Sequence, residues 1–364
     1  MSKFDVKNNK SICVLPWIHE FKSVGGHTAP CCVAKTLKNQ TMADVRAEML
    51  ADKKPSACNI CYKSEKNSKW SHRLDHTYSW INRHGEPDVN NPTIQYVDIR
   101  FDPTCNLKCK TCNPGSSTLW QKEKGVKFTI NQENYKDLAK VNKKNLKKVY
   151  MAGGEPTYIS LYYIFLKELH EVNPECEVLI NTNLKKLPEP WKDIIKKFKN
   201  LTVICSCDAI HELGSYVRYP LGWDQFEENV KFASTHANFF QFNMVCSNLT
   251  VHKIFETCSW MQQYSKNISL EILHKPEIFS ESSVPAHERQ KYILELKKLR
   301  KFPIGMYSAG KFRSTINYLI QLYTKTKYNK NLHQKLKAEI DEQDSHRSIN
   351  LKQTDAFLYN WIYE

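Results

Sequence analysis

The chain of 364 residues is 41% hydrophobic and 12% aromatic, which allows a buried core and argues against global disorder. It contains no run of about 20 apolar residues that could span a membrane. Residues 1–10 are polar, so we expect a cytoplasmic protein with no signal peptide and no membrane partner. The formal net charge of +15 permits nucleic acid as a partner, but the lysines are scattered, which favours a solvated basic surface.

Cysteine is the unusual component of the composition, with 13 in the chain. In the reducing compartment expected for this protein thiols stay free, so disulfides do not explain that number. Metal or iron–sulfur ligation explains it better wherever the spacing of the cysteines agrees.

The predicted elements fall into three regions. Residues 1–90 hold five cysteines and few periodic apolar segments, so we predict a small, loop-rich module that ends at the turn-forming residues 85–92. Residues 91–276 alternate β-rich segments with helical patterns. Residues 277–364 show no convincing strand pattern and are predicted to form a mostly helical cap or tail.

Six strands are predicted in the middle region. Their alternation with helices predicts an α/β fold with a parallel sheet and helical crossovers. Six units are too few to close an eight-stranded barrel, so we predict an open, partial (β/α)6 barrel. The predicted strands are Ile94–Phe101, Leu146–Met151, Glu177–Thr182, Leu201–Cys207, Phe239–Val245 and Ile268–His274.

The first of these strands leads into a C-x3-C-x2-C triplet made by Cys105, Cys109 and Cys112. Three thiolates so close together on one loop can hold three corners of a cubic [4Fe–4S] cluster. The fourth iron then has no protein ligand, and an open coordination position indicates chemistry rather than a purely structural site. Zinc with a distant fourth ligand is the alternative, but zinc sites favour paired C-x2-C spacings.

The segment CNLKCKTC at residues 105–112 resembles the signature of the radical S-adenosylmethionine (radical SAM) superfamily. The resemblance implies that the open iron is chelated by the amino and carboxylate groups of SAM. It further implies that one electron from the cluster splits SAM into methionine and a 5′-deoxyadenosyl radical, which abstracts hydrogen from a substrate.

The second predicted strand ends in a segment that matches the second motif of this family. Two glycines there let the backbone approach a ligand closely, and the resemblance implies contact with the amino group of the SAM methionine. Alone, the segment could be a simple turn at the end of a strand, but it follows the second strand as the family pattern requires. The residues are Gly153, Gly154, Glu155 and Pro156.

Polar residues also follow the next strands. They resemble the family segments that line the adenosyl pocket, although Leu184 and Ala209 replace the usual glycines. All of these segments fall at the carboxyl ends of predicted strands, the edge that carries the active site in β/α barrels. The residues predicted to bind the cofactor at this edge are Asn181, Asn183, Ser206, Asp208 and Asn248.

Two further residues near the fourth strand have alternative roles. Arg218 could face the SAM carboxylate or the substrate, or it could lie at the surface. Cys207 could donate a hydrogen atom to a substrate radical, as some epimerases of this family require, or it could be a small buried core residue.

The cysteines of the N-terminal module also have ligand-like spacing. Cys13, Cys58 and Cys61, together with either Cys31 or Cys32, could supply four thiolates. This pattern resembles the SPASM and twitch auxiliary-cluster domains of peptide-modifying radical SAM enzymes, and the number of cysteines favours the one-cluster twitch form. The resemblance implies a second [4Fe–4S] cluster, with zinc as the alternative occupant. In the family this module usually follows the barrel, whereas here it precedes it.

The expected function is SAM-dependent radical abstraction of hydrogen from a peptide or protein side chain, or from a small molecule. An electron donor such as flavodoxin or ferredoxin is the expected protein partner. Two alternatives stay open. One is an iron–sulfur enzyme that modifies RNA, which the net charge of +15 would suit. The other is a non-catalytic zinc protein that binds a partner.

Overall fold

The computed structural model describes residues 2–24, 26–68, 71–100, 102–128, 130 and 133–364. Its strands follow chain order in one seven-stranded sheet. Neighbouring strands pair in parallel, which confirms the predicted α/β fold class. The strands are β1 His19–Ser23, β2 Tyr96–Arg100, β3 Lys148–Met151, β4 Glu177–Thr182, β5 Leu201–Ser206, β6 Phe239–Cys246 and β7 Ile268–Ile272.

The sheet has one strand more than the six predicted, because β1 lies in the region predicted as a loop-rich module. β1 pairs in parallel with β2 along its whole length, from His19 opposite Tyr96 to Ser23 opposite Arg100. Phe21 is the only large apolar residue in β1, so this segment lacks the alternation by which the other strands are recognised. Pairing with a neighbour, rather than a local pattern, makes it a strand.

Helices connect the strands and continue beyond the last one. Several begin at side-chain caps: a Thr41–Asp44 capping box precedes the second helix, and Ser117 caps the fifth, which Gly125 ends in a left-handed conformation. The α-helices of the described residues are α1 Leu15–Ile18, α2 Met42–Leu50, α3 Asn59–Ser68, α4 His72–His84, α5 Thr118–Lys124, α6 Glu133–Lys140, α7 Ser160–Val172, α8 Glu189–Lys197, α9 His211–Val217, α10 Trp223–His236, α11 Ile254–Met261, α12 Arg289–Lys298, α13 Met306–Lys325, α14 Lys330–Arg347, α15 Leu351–Thr354 and α16 Ala356–Tyr363.

The chain divides into two compact units whose limits differ from the predicted boundaries after residues 90 and 276. Pairing of β1 with β2 joins the N-terminal segment to the first strands that follow it. The first unit comprises Met1–Pro103, Thr129–Gly153 and Ile164–Leu179, and the second comprises Thr104–Phe128, Gly154–Tyr163 and Ile180–Glu364.

The core of the first unit is built largely from its N-terminal residues. Ile12 and Trp17 are fully buried, and Phe4 packs edge-on against Trp17 with ring centroids 5.1 Å apart. Cys31 and Cys58 belong to the same buried cluster. The region predicted to need an external support therefore has an apolar core, and its cysteines lie at that core.

In the second unit, β5 and β6 alternate between a buried face and a partly exposed face. Val203, Phe242 and Met244 on the buried face are at most 1% exposed. The other face carries Ser206 directly opposite Asn243. Since side chains alternate along a strand, the polar residues near the carboxyl ends of these strands share one open face.

Residues 277–364 contain helices α12 to α16 and no strand, as predicted for a mostly helical region. Nowhere in the described part of the chain is a helix both long enough and apolar enough to cross a membrane.

Candidate active site

Helix α5 holds the loop that carries Cys105, Cys109 and Cys112. The Cys112 N–H donates to the Cys109 carbonyl at 3.0 Å, which turns the second half of the loop back on itself. The Cys105 N–H donates to Thr118 Oγ1 at 3.3 Å, and the Trp120 indole donates to the Cys109 carbonyl at 2.9 Å. The helix that follows the loop therefore fixes the backbone at two of the three cysteines.

A second segment, just after α9, pairs with the same loop. The backbone N–H groups of Lys108 and Lys110 donate to the carbonyls of Tyr219 at 2.7 Å and Val217 at 2.8 Å. Arg218 lies between these two acceptors in the chain. The pairing therefore brings Arg218 to the cysteine loop, a proximity that the spacing in the sequence does not reveal.

The three thiols are partly buried near one another. Burial, with a smaller contribution from the neighbouring Cys109, raises the pKa of Cys105 to about 12. Burial also raises the pKa values of Cys109 and Cys112, while the Arg218 guanidinium lowers both. A bound cation that takes thiolate ligands acts against this effect of burial, because it favours the deprotonated thiol.

Glycine is required at position 153 by the backbone. Gly153 has φ +116°, and a Cβ built there would lie 3.0 Å from the Asp102 carbonyl oxygen and 3.4 Å from the Arg100 Cα. A side chain at this position would therefore meet both strain and backbone. Gly153 and Gly154 are exposed and partly exposed, as expected for backbone that receives a ligand.

The Glu155 carboxylate lies in the protein interior and joins two segments of the chain by hydrogen bonds. It is 1% exposed. Its Oε1 accepts hydrogen bonds from Thr157 Oγ1 at 2.7 Å and Thr182 Oγ1 at 2.6 Å, and its Oε2 accepts the Asn183 N–H at 2.7 Å. Burial raises the pKa of Glu155, whereas these hydrogen bonds lower it. The carboxylate thus ties the segment after β3 to the end of β4.

Asn183 connects Glu155 to the cysteine loop through hydrogen bonds. Its Nδ2 donates to Asn106 Oδ1 at 2.8 Å, while Nζ of Lys185 donates to the Asn106 carbonyl at 3.2 Å. Asn183 Nδ2 also lies 4.0 Å from the Cys105 sulfur. Asn183 is therefore placed at the site through the loop. Asn106, the residue it binds, was not among the predicted site residues and has no distinctive sequence signal.

The predicted adenosyl-pocket residues form two contacts. Ser206 Oγ donates to Asn181 Oδ1 at 3.1 Å across β4 and β5. Asp208 accepts the Val245 N–H at 2.9 Å through Oδ1 and pairs with Arg218 Nη1 at 2.7 Å through Oδ2. The structure therefore brings Asp208 and Arg218 together beside the loop.

Arg218 is partly buried, with its side chain 11% exposed. Its charge is balanced by Asp208 and lies close to Cys109. The buried Nε has no hydrogen-bond acceptor within the described residues. A buried donor without an acceptor raises the free energy of the fold. A ligand with a negative charge or a hydrogen-bond acceptor would therefore bind favourably at this Nε.

Two further predicted residues are held in the protein interior by hydrogen bonds of their own. Asn248 is fully buried and donates to Ser283 Oγ at 2.7 Å and to the Ile278 carbonyl at 3.0 Å, so it anchors the segment after β7. Cys207 is 1% exposed, and its thiol donates to the Ala209 carbonyl at 3.3 Å. This geometry favours a core role for Cys207 over hydrogen-atom donation.

The N-terminal cysteines line one cavity. Cys13, Cys31, Cys58 and Cys61 all contribute to its wall, and each is between 6% and 8% exposed. Burial raises the pKa values of Cys13 and Cys58 to about 12. Four thiols from three separate segments of the chain therefore face one enclosed space.

Cys32 points elsewhere. It is not part of the cavity wall. Its sulfur lies 4.0 Å from His72 Nε2, and it hydrogen-bonds to the Asp98 carboxylate on β2. Of the two adjacent cysteines, Cys31 is the one that shares a space with Cys13, Cys58 and Cys61.

A buried cation accompanies the four thiols. The side chain of Arg73 is 3% exposed and pairs with Glu65 at 2.7 Å, and it forms part of the cavity wall. Its charge lowers the pKa values of Cys13 and Cys58 against the larger effect of burial. The cavity thus already contains a positive charge that can compensate thiolates.

Neither set of cysteines is arranged around a single ion. Within the residues that the structure describes, no three His, Cys, Asp or Glu side chains are grouped as possible ligands of one metal ion. A cubic cluster takes one cysteine at each iron, so its ligands stand farther apart than those of a single zinc ion.

The loop that carries the three cysteines follows β2 of the parallel α/β sheet. Residues 99–260 match the family model described as the Radical SAM superfamily. This part of the chain is therefore a radical SAM domain, as the cysteine motif predicted.

Curated relatives match over short stretches. The chain is 25% identical over 113 residues to the GTP 3′,8-cyclase of Nautilia profundicola, which covers 30% of this chain and 35% of that one. It is 28% identical over 115 residues to the GTP 3′,8-cyclase of Helicobacter pylori, covering 29% and 33%. The chain spans about a third of the length of the curated relatives it matches.

Among solved structures, one similar chain is Streptococcus suis SuiB bound to S-adenosylmethionine, at 16% identity and a TM-score of 0.41. The alignment covers 66% of this chain and 54% of SuiB.

Proposed function

We propose that this chain is a radical SAM enzyme whose Cys105, Cys109 and Cys112 hold a [4Fe–4S] cluster. The observation that carries the proposal is Arg218, a partly buried cation that lies beside Cys109 and whose buried Nε has no acceptor within the described residues. When bound, the cluster and SAM supply an adenosyl radical that abstracts hydrogen from a substrate. A cation placed there can compensate thiolates and bind the carboxylate of an amino-acid ligand.

The chain's own residues divide the work of binding SAM. Gly153 and Gly154 leave room for the methionine moiety to lie against the backbone. Asn181 and Ser206, which share one hydrogen bond, can bind ribose hydroxyls through their remaining capacity. Glu155 holds Thr182 and Asn183 at the end of β4 without touching the ligand, because its oxygens are already engaged by the protein.

We also propose an auxiliary [4Fe–4S] cluster bound by Cys13, Cys31, Cys58 and Cys61. Support comes from their shared cavity, from the buried charge of Arg73 and from the absence, within the described residues, of a grouping around one ion. These features suit a cluster better than zinc.

The proposed substrate is a peptide or protein side chain, or a small molecule, from which one hydrogen is abstracted. Because the curated relatives are named for GTP cyclisation, GTP is the first small molecule to test. The proposed reductant is a small acidic electron carrier such as flavodoxin or ferredoxin, since a net charge of +15 favours association with an acidic partner.

The test is anaerobic reconstitution with iron and sulfide, followed by dithionite and SAM, with 5′-deoxyadenosine measured by mass spectrometry. The control is the Cys105→Ala, Cys109→Ala, Cys112→Ala triple variant, with iron counted in both proteins. We expect the wild type to form 5′-deoxyadenosine both with and without GTP, and the triple variant to form none. The variant should hold about half as much iron as the wild type. If the reconstituted wild type contains zinc and no iron, the proposal is overturned, and the alternative of a non-catalytic zinc protein is favoured.

A further inference from the structure

A fully buried lysine in the cysteine loop is held by the C-terminal helix α14. The side chain of Lys110 is 0% exposed, and its Nζ lies 2.6 Å from Asp344 Oδ1. The same Nζ lies 4.1 Å from the centre of the Tyr216 ring. Tyr216 donates from its hydroxyl to Asp344 Oδ1 at 3.0 Å, and Asp344 also accepts the Leu351 N–H at 3.2 Å. The lysine and its carboxylate are thus fixed by several partners.

A second buried ion pair joins the same helix to α5. Arg347 Nη2 lies 2.9 Å from Glu123 Oε1, with the two side chains 0% and 4% exposed. Lys108, also in the cysteine loop, pairs with the other oxygen of Glu123. Arg347 stacks on Trp120 with its guanidinium carbon 4.8 Å from the ring centre. Lys108 and Lys110 flank Cys109, so the loop is held on both sides of one cysteine.

Stability alone does not explain why these two ion pairs are buried. Burying a lysine and a carboxylate removes both from water, and a hydrophobic pair of similar volume often stabilises a fold at least as well. Buried ion pairs do fix one geometry, because each partner has a single compatible position. One ion pair of α14 ends on the cysteine loop at Lys110, and the other ends on α5, the helix that holds this loop. The geometry that the two pairs fix is therefore that of the cysteine loop.

We propose that α14 is a clamp for the cluster loop, and that Lys110 and Asp344 are its positioning residues. Through them the C-terminal region sets how firmly the loop retains its iron and how the open iron is presented to SAM. This inference rests on the proposed cluster at Cys105, Cys109 and Cys112. The role is indirect, since the two side chains act through the loop.

The test uses the reconstituted full-length protein with Lys110→Met and Asp344→Asn. Lys124→Met is the matched control, because Lys124 also links α5 to α14, through Glu342 at 2.7 Å, but with side chains 29% and 47% exposed. Two readouts are followed: the rate at which a chelator removes iron, and the change in the EPR spectrum of the reduced cluster when SAM is added. The loop's share of the iron is the difference between each protein and the same protein carrying the triple cysteine change.

We expect Lys110→Met to lose the loop's iron about 10- to 100-fold faster than wild type, the size of effect typical of residues that orient metal ligands. Its EPR response to SAM should be smaller, whereas Lys124→Met should match wild type in both measurements. Iron loss and an EPR response equal to wild type in Lys110→Met would overturn the clamp.

Should Lys110→Met fail to fold, as judged by circular dichroism, Asp344→Asn decides by the same criteria, since it keeps the shape of the carboxylate and removes its charge. If the triple cysteine variant retains as much iron as wild type, the cluster assignment itself fails, and the clamp fails with it. That result is visible without any Lys110 variant.

Discussion

Oε2 of Glu155 accepts the backbone N–H of Asn183 at 2.7 Å. A carboxylate that follows β3 therefore binds the first backbone N–H after β4. The Asn183 side chain then bonds Asn106 within the cysteine loop. A chain of two residues therefore links the GGEP segment to the loop, and the position of Asn183 depends on a group that never reaches the ligand.

Glu155→Gln replaces one acceptor oxygen by an amide NH2 that faces a donor. We expect a loss of about 1–3 kcal/mol in the free energy of unfolding, the usual cost of an unsatisfied buried group, together with weaker SAM binding. Chemical denaturation and calorimetric titration measure these effects. Glu168→Gln, at a side chain 56% exposed, should change neither stability nor SAM binding. If Glu155→Gln also leaves both at wild-type values, the Glu155 hydrogen bonds do not position the site.

Gly153→Ala and Gly222→Ala form a matched pair. A Cβ at position 153 meets the Asp102 carbonyl at 3.0 Å with φ at +116°, whereas a Cβ at position 222 meets nothing within 4 Å. We expect Gly153→Ala to destabilise the protein by about 1–3 kcal/mol, because a non-glycine residue is strained there. Gly222→Ala should have little effect, and equal melting temperatures for the two variants would contradict this account.

Cys31 and Cys32 should differ as ligands. On the background of the triple change at Cys105, Cys109 and Cys112, only the N-terminal site can hold iron. We expect Cys31→Ala to abolish the remaining iron and Cys32→Ala to retain it, because Cys31 alone of the two lines the cavity. Iron and sulfide analysis after reconstitution decides this, and the opposite result would assign the site to Cys32.

Arg218 should contribute to SAM affinity through its charge and its geometry. Arg218→Met removes a buried charge-assisted donor, for which a loss of about 1.5–3 kcal/mol is usual, or a rise in Kd of roughly 10- to 100-fold. Arg218→Lys should recover only part of this affinity, because a lysine lacks the planar fork that pairs with Asp208. The exposed Arg313 provides the control, Arg313→Lys, and equal Kd values in all four proteins would remove Arg218 from the site.

Asp355 makes the stability of the C-terminal helices depend on pH. Burial raises the pKa of Asp355, but the hydrogen bond and charge of His252, the Leu358 N–H and the charge of Lys253 together outweigh burial, so the net pKa is lowered. The His252 Nε2 to Asp355 Oδ2 distance is 2.9 Å. A lowered carboxyl pKa stabilises the fold above the unfolded value of about 3.9 and is lost as pH falls through the folded value.

Asp355→Asn should therefore be less stable than wild type by about 1–3 kcal/mol at pH 7, and the difference should shrink as pH falls below about 4. Urea denaturation of the iron-free proteins at several pH values tests this. A difference that stays constant between pH 7 and pH 3 would show that the carboxylate charge is not involved.

Much of the fold was predictable because its signals are local. All six predicted strands begin within two residues of an observed strand, and the five from Leu146–Met151 onward also end within two residues of its limit. Phe101, the predicted end of the first strand, lies outside the described residues. These strands were recognisable because buried β-rich runs alternate with amphipathic helices. The strand β1 was missed because its stability comes from pairing with Tyr96–Arg100 and not from its own pattern.

The site divides in the same way. The sequence by itself predicted the three-cysteine loop, the GGEP segment and the radical SAM domain at residues 99–260, because ligand chemistry demands particular residues at short spacings. Only the tertiary structure placed Cys31 and not Cys32 in the wall of the cavity, buried Asn248 and Cys207 in the protein interior, and placed Asp344 against Lys110. Those outcomes depend on which distant segments share a space, and a buried charge or thiol acquires its role from neighbours that lie far away in the chain.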